Sequence, residues 1–149
     1  MLISSKDTVF YKLEKAIKLY RKMAQRRLQE AGSDLTINQL IVIIQLQKQP
    51  DLQMVDLADI IFKDLASVTR MIDLLFKKGY LERKENQRDR RRKDLVLTKA
   101  ASEAIEQLSP VIAAYRAQAF NGFSEKEIQN LSMLLDQLSH NCQPYIVTE

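Results

Sequence analysis

The sequence of residues 80–98 predicts two short strands joined by a basic tip, and helical patterns precede and follow this segment. The second strand alternates apolar and polar side chains, with Leu95 and Leu97 on one face, and Gly79 closes the helical pattern before the first strand. The tip carries Arg88, Arg90, Arg91, Arg92 and Lys93. A hairpin enclosed by helices constrains the fold to a mostly α domain with one small β-wing.

The basic tip indicates a polyanionic partner, because guanidinium groups bind phosphates and fit a narrow minor groove. Residues 63–99 carry 12 basic and 6 acidic side chains, whereas residues 100–149 carry 2 and 6. A solvated charged hairpin is the alternative, since charge runs often only hydrate a surface. A membrane surface is disfavoured, because the basic stretch is not an amphipathic helix with a wide apolar face. The position of the run at a projecting turn favours nucleic acid.

Composition supports a helical protein and offers little for catalysis. Three Gly and three Pro among 149 residues predict few turns. The sequence has one cysteine, Cys142, and one histidine, His140, which excludes an intramolecular disulfide and a cysteine-built zinc site. We therefore expect no enzyme, no metal and no cofactor. The first residues do not form a signal peptide, and no apolar run approaches the ~20 residues of a spanning helix, so we expect a cytoplasmic protein.

Two helices are predicted at the start of the chain. Apolar residues recur at steps of three and four over 7–30, and Gly32 is a plausible stop. Thr36 fits as the N-cap of a second helix that ends before Pro50. This second helix is apolar on most sides, so we expect it to be central.

Two more helices are predicted after the hairpin. Thr98 can cap the first of them, and Pro110 should kink it. Ser124 with Glu127 forms a capping box that opens the last helix. The apolar stripe of that last helix is Ile128, Leu131, Leu135, Leu138 and Cys142.

The segment before the hairpin has helix-turn-helix spacing, with helices over 54–61 and 65–78 and a turn over 62–64. The inward stripe of the second helix is Val68, Met71, Ile72 and Leu75. Ser67 and Arg70 face outward and Thr69 lies near the boundary, so they could read base edges or position the helix in a major groove about 12 Å wide. An ordinary exposed helix face is the alternative.

These fragments together resemble the MarR family of winged-helix transcriptional regulators over essentially the whole chain. Asp89-Arg90-Arg91, followed by Leu95, Leu97 and Thr98, fits the family pattern Asp-x-Arg-x-x-x-Leu/Val-x-Leu-Thr. Other matching fragments are Leu35-Thr36-x-x-Gln39, Leu57-Ala58, Val68-Thr69-Arg70 and Lys77-Lys78-Gly79-Tyr80-Leu81-Glu82-Arg83. Phe62 in the turn and Ala101 after the wing stand where the family commonly has glycine.

The resemblance implies roles for particular residues in binding double-stranded DNA. Arg91 is expected in the minor groove, with Asp89 pairing to it and fixing its direction. The expected phosphate or backbone contacts are Arg88, Arg90, Arg92, Lys63 and Lys77. The expected base-reading or groove-positioning residues are Ser67, Thr69 and Arg70. An exposed ion pair worth about 0 to 1 kcal/mol is the alternative for Asp89 and Arg91.

The resemblance also implies a homodimer that reads an inverted-repeat operator. The expected organisation is an N-terminal dimerisation helix over 1–34, a winged helix-turn-helix domain over 35–98 with its wing at 80–98, and C-terminal dimerisation helices over 99–149. The function implied is repression, released by a small aromatic or phenolic effector. Possible pocket residues are Phe10, Tyr11, Tyr20 and Tyr115, although aromatics at helical spacing more often belong to a core.

Two alternative functions remain open. One is a winged-helix protein-interaction module that does not bind DNA. The other is a redox-responsive regulator acting through Cys142, but this thiol continues an apolar stripe, and we expect it to be buried.

Overall fold

The structure is a computed structural model that describes residues 5–146. Its elements in chain order are α1 (Ser5–Glu30), α2 (Ile37–Lys48), α3 (Met54–Ile61), α4 (Leu65–Lys77), β1 (Leu81–Glu85), β2 (Lys93–Leu97), α5 (Lys99–Ala119), α6 (Glu125–Cys142) and a short 3₁₀ helix (Gln143–Tyr145). The predicted fold, mostly α with a small β-wing, is confirmed.

The connection between α1 and α2 follows the predicted stop and start signals. Gly32 has a φ of 80°, and the Ser33 N–H donates to the Leu28 carbonyl at 3.0 Å. Such a turn requires the left-handed conformation that glycine adopts without strain. Thr36 caps α2 in a reciprocal arrangement with Gln39, whose backbone N–H donates to the Thr36 hydroxyl while its side chain accepts from the Thr36 N–H.

α2 is the most buried helix around the helix-turn-helix, as its sequence predicted. Its buried residues are Gln39, Leu40, Val42, Ile43 and Leu46. The inward stripe of α4 is also confirmed, because Val68, Ile72 and Leu75 are buried and Met71 packs against the core. Burial of a large aliphatic side chain stabilises a fold by about 1.5 to 3 kcal/mol, so these two stripes hold the domain together.

The wing is an antiparallel pair in which Leu81 lies opposite Leu97 and Glu85 opposite Lys93. Residues 86–92 form the loop between the strands. Thr98 follows β2, and its hydroxyl donates to the Gly79 carbonyl at 2.6 Å and accepts from the Ala101 N–H at 3.3 Å. Thr98 therefore both caps α5, as predicted, and ties the end of the wing to the end of α4.

α5 continues through Pro110 to Ala119, and the Ser109 hydroxyl donates to the Ile105 carbonyl at 2.7 Å one turn back. The chain divides into two compact units with the boundary after Tyr115. In the second unit the capping box of Ser124 and Glu127 opens α6, as predicted. Over residues 5–146 no helix has the length and apolarity needed to cross a membrane.

The expected burial of Cys142 is wrong, because this thiol is exposed. In the described chain no residue of α6 is buried, and Leu131 and Leu135 on its apolar stripe are 38% and 37% exposed. Helical periodicity identified the apolar face correctly. It did not reveal that the single chain leaves this face uncovered.

Candidate nucleic-acid interface

The amino end of α4 is organised by Asp64. Its carboxylate accepts the Ser67 N–H at 2.7 Å on one oxygen and the Ser67 hydroxyl at 2.8 Å on the other. These hydrogen bonds, the backbone one first, lower the pKa of Asp64 below its usual value, so the carboxylate stays ionised at neutral pH. An ionised N-cap fixes the first turn of α4, from which the predicted base-reading residues project.

Ser67 and Arg70 form a chain with this carboxylate, because the Arg70 guanidinium donates to the Ser67 hydroxyl at 3.1 Å. The Ser67 hydroxyl thus already has a partner on each side, and the residue is half-buried. Arg70 is exposed and uses one of its five N–H donors in this contact. Arg70 is therefore better placed than Ser67 to meet a ligand.

Thr69 is exposed, but its hydroxyl donates to the Leu65 carbonyl at 2.9 Å one turn back. A threonine hydroxyl bonded in this way presents its methyl group and an oxygen lone pair outward. Lys63 and Lys77, at the two ends of α4, are both exposed. The structure thus places the helix residues predicted to contact DNA on and around α4. They differ in how exposed they are and in how many of their hydrogen-bonding groups already have a partner.

The wing loop is held by Asn86, a residue that sequence analysis did not single out. Its side-chain oxygen accepts the backbone N–H groups of Arg88 at 2.8 Å and Asp89 at 3.1 Å. The Asn86 N–H donates to the Arg92 carbonyl at 2.9 Å, which closes the loop. Asparagine commonly organises turns through such side-chain contacts, so its position at the end of β1 was a usable signal.

Asp89 contacts Arg91 in a way that differs from the expected side-chain pairing. Its carboxylate accepts the Arg91 backbone N–H at 3.0 Å, and within residues 5–146 the two side chains form no ion pair. Asp89 therefore fixes the backbone of the turn rather than the direction of the guanidinium. The side chains of Arg88, Arg90 and Arg91 are left exposed at the tip.

Arg92 lies nearer the base of the loop, where its guanidinium is 3.7 Å from the Asp94 carboxylate. The same carboxylate accepts the Asn86 side-chain amide at 3.1 and 3.2 Å. Arg92 is about half exposed and partly neutralised, so it is less available to a polyanion than the three arginines at the tip.

The wing is joined to α4 through Arg83 on β1. Its guanidinium lies 4.5 Å from the ring centroid of Phe76 and 3.4 Å from the Asp73 carboxylate. Both charged side chains are about half exposed, so the ion pair itself contributes little, about 0 to 1 kcal/mol. The contacts of Arg83 matter because they position the hairpin against α4, the helix whose amino end carries Arg70.

A second connection links the start of the wing to the turn between α1 and α2. The Tyr80 hydroxyl donates to the Asp34 carboxylate at 2.6 Å. Burial of the phenol, and then this hydrogen bond, raise the pKa of Tyr80 to about 12. Lys78 donates to the Asp34 carbonyl and, at 3.1 Å, to the Gln39 side chain. The polar network fixes the end of α4 on the scaffold.

The four aromatics considered for an effector pocket do not behave alike. The rings of Tyr20 and Tyr115 meet edge to face with centroids 5.8 Å apart, and Tyr115 is buried. Phe10 and Tyr11 are 55% and 68% exposed. The core interpretation holds for Tyr115 and its partner, and it is wrong for the two aromatics near the start of α1.

Residues 35–93, which include the helix-turn-helix and β1, match the sequence model of the MarR family. This central segment of the chain is therefore similar in sequence to the MarR family. Solved structures with this fold extend the likeness over nearly the whole chain. Sco3205 from Streptomyces coelicolor, a MarR-family transcriptional regulator solved in complex with DNA, is 19% identical with a TM-score of 0.83, covering 97% of this chain and 92% of its own.

Two further structures are similar over most of both chains. BpsR from Bordetella bronchiseptica, whose DNA binding is regulated by 6-hydroxynicotinic acid, is 23% identical with a TM-score of 0.81, covering 93% of this chain and 98% of its own. A MarR protein from Peptoclostridium difficile is 23% identical with a TM-score of 0.80, covering 97% and 94%. At these identities the likeness concerns the fold.

Phe62 and Ala101 stand where the MarR family commonly has glycine, and Phe62 is the more informative of these two differences. It ends α3 with a φ of 57°, and the Lys63 N–H donates to the Ala58 carbonyl at 3.0 Å in the contact typical of a glycine-closed helix end. The left-handed geometry of the turn is thus kept without the glycine. Ala101 lies inside α5 and is buried, so the helix there needs no glycine.

Proposed function

We propose that the protein is a sequence-specific, double-stranded DNA-binding transcriptional regulator. The observation that carries this proposal is the pairing of two exposed elements: the arginine tip of the wing and the amino end of α4 with Arg70. Arg83 contacts both the hairpin and α4, so the two elements are presented by one compact unit. A helix end suits a major groove, and a projecting arginine suits the adjacent minor groove.

Within this proposal the residues have different roles, which depend on whether their side chains are exposed or already held in hydrogen bonds. Arg91 enters the minor groove, and Arg70 contacts a base edge or phosphate in the major groove. Ser67, Thr69 and Asp89 position these groups through the hydrogen bonds described above. The proposed phosphate contacts are Arg88, Arg90, Arg92, Lys63 and Lys77.

We propose further that the regulator acts as a homodimer through its terminal helices, residues 1–34 and 99–149. Exposed apolar side chains support this. On α1 they are Val9, Phe10, Tyr11, Ile17 and Leu19, and on the striped face of α6 they are Leu131, Leu134 and Leu135. Contiguous exposed apolar surface marks protein interfaces. Two copies related by a dyad would present two recognition helices to an inverted repeat, with half-sites about one DNA turn apart.

The proposed regulation is repression released by a small aromatic or phenolic effector, in a protein of the cytoplasm. The similarity to BpsR, whose DNA binding responds to 6-hydroxynicotinic acid, supports a small aromatic ligand. Such a ligand releases DNA only if it binds better to a dimer whose recognition helices are wrongly spaced, because differential affinity alone shifts an equilibrium. Oxidation of Cys142 is the second candidate for release, on the condition that the proposed dimer leaves accessible this thiol, which is exposed in the single chain.

The proposal is tested by selecting binding sites from a random pool of DNA duplexes with the wild-type chain. Enrichment of an inverted repeat, and its weaker binding by Arg91→Ala, is the expected result. Arg26→Ala is the matched control, since Arg26 is also an exposed arginine and lies on α1, where it pairs with Glu30. A dimer that enriches no sequence and binds no duplex would instead be a protein-interaction module.

A further inference from the structure

Phe62 carries two features that the stability of the fold does not explain. Its side chain is 90% exposed, which forgoes the free energy gained by burying an aromatic ring. Its φ of 57° is the only positive value among the non-glycine residues that the structure describes. A bulky side chain in the left-handed region is strained, and strain of this kind concentrates at functional positions.

Leu65 adds a second exposed apolar side chain to the same turn. It is the first residue of α4 and is 50% exposed. Lys63, between them in sequence, is exposed, and Asp64 directs its carboxylate back to Ser67. The turn therefore presents two apolar groups and a cation at the end of α4 that the proposed function brings to the major groove.

The major groove offers a single apolar feature to such side chains, the C5-methyl group of thymine. A phenyl ring and an isobutyl group donate and accept no hydrogen bonds, so they can recognise a base only by covering this methyl. We propose that Phe62 and Leu65 are specificity-determining residues that pack on thymine methyl groups in each half-site of the operator. This inference rests on the proposed function and adds a sequence preference to it.

Deoxyuridine provides the test, because it differs from thymidine only in lacking the methyl group. Duplexes enriched from the random pool are resynthesised with deoxyuridine at each thymine in turn, and their dissociation constants are measured with the wild-type chain. Removal of a methyl that is buried on binding should weaken affinity about fourfold. At least one thymine in each half-site should show this loss.

The variants Phe62→Gly and Leu65→Ala assign the effect to these side chains. Each should bind thymine and deoxyuridine duplexes equally at the position that its side chain covers. Phe62→Gly also relieves the backbone, so an unchanged or higher melting temperature shows that it is folded. Val55→Ala is the matched control, since Val55 is 60% exposed at the opposite end of α3 and should keep the wild-type preference.

The outcomes separate this inference from the proposed function. If an operator is enriched and bound but deoxyuridine weakens binding at no thymine, the inference is overturned while the proposed function stands. The inference is also overturned if the deoxyuridine effect survives in both variants. If no operator is enriched, the proposed function fails first. A weakening in the wild type that disappears in Phe62→Gly or Leu65→Ala, and persists in Val55→Ala, supports the inference.

Discussion

The Asn86 side-chain amide donates to both oxygens of the Asp94 carboxylate, at 3.1 and 3.2 Å, across the base of the wing. The opposite end of the same side chain accepts from Arg88 and Asp89 in the loop. One residue thus connects β2 to the tip that carries the exposed arginines. The loop of the wing, residues 86–92, is ordered by a polar side chain rather than by apolar packing.

Asn86→Ala should therefore weaken DNA binding without removing a charge. Loss of these hydrogen bonds should lower the free energy of unfolding by about 1 kcal/mol. The loop must then be ordered on binding, which should weaken affinity for the selected operator about fivefold for each wing that binds. Gln87→Ala is the control, because Gln87 is an exposed neighbour in the same loop. Equal affinities of the two variants, measured by fluorescence anisotropy, would refute this role.

Phe62→Gly should stabilise the protein by about 1 kcal/mol, because glycine accepts the left-handed conformation that phenylalanine resists. Phe62→Ala retains a Cβ and so retains most of the strain. Urea unfolding of the two variants distinguishes them, with the glycine variant expected to have the higher midpoint. If Phe62→Ala stabilised the protein as much as Phe62→Gly, the exposed ring rather than the left-handed backbone would be what destabilises the wild-type fold.

Tyr80→Phe should remove an alkaline component of stability. The pKa of Tyr80 is raised to about 12, from an unfolded value near 10, so the fold favours the neutral phenol. The stabilisation is fully present below pH 10 and is lost as pH rises through about 12. The variant should lose about 1 kcal/mol at neutral pH through the missing hydrogen bond to Asp34.

Chemical unfolding of wild type and Tyr80→Phe at several pH values checks this linkage. The difference in the free energy of unfolding between the two proteins should become smaller above pH 10. A gap that stays constant up to about pH 12 would show that the Asp34 contact is not linked to ionisation of the phenol.

Leu135→Glu should dissociate the proposed dimer, because it places a charge on the apolar stripe of α6. Met133→Glu is the matched control. Met133 is 63% exposed on the same helix but lies off the stripe, so its variant should remain dimeric. Sedimentation velocity at micromolar concentration measures both. A dimer that survives Leu135→Glu unchanged would place the interface elsewhere.

Local signals predicted the helix boundaries well because each depends on one or two residues. Gly32, Thr36 and Ser124 act on the backbone within a few positions, and the structure has all three in the expected roles. The wing was recognisable for a similar reason, since Leu95 and Leu97 alternate and a basic tip precedes them.

The remaining features depend on contacts that sequence spacing does not reveal. The outward position of Ser67 was predictable, but its engagement by Asp64 and Arg70 depends on rotamers. Periodicity placed Cys142 on an apolar face without showing whether anything covers that face. The turn contacts of Asn86 are local and were predictable, but its contact with Asp94 was not, because Asp94 lies eight positions later and across the hairpin.

The central claim is that the exposed arginine tip and the amino end of α4 bind duplex DNA with sequence preference. Its most direct test is the dissociation constant for the selected operator and for a shuffled duplex, measured across salt concentrations for wild type and Arg91→Ala. The wild type should prefer the operator, with affinity falling steeply as salt rises. Arg91→Ala should bind more weakly, and the slope of its salt dependence should be smaller by about 2, which is about 1 for each protomer of the proposed dimer. Equal, salt-insensitive binding of both duplexes by the wild type would contradict the account.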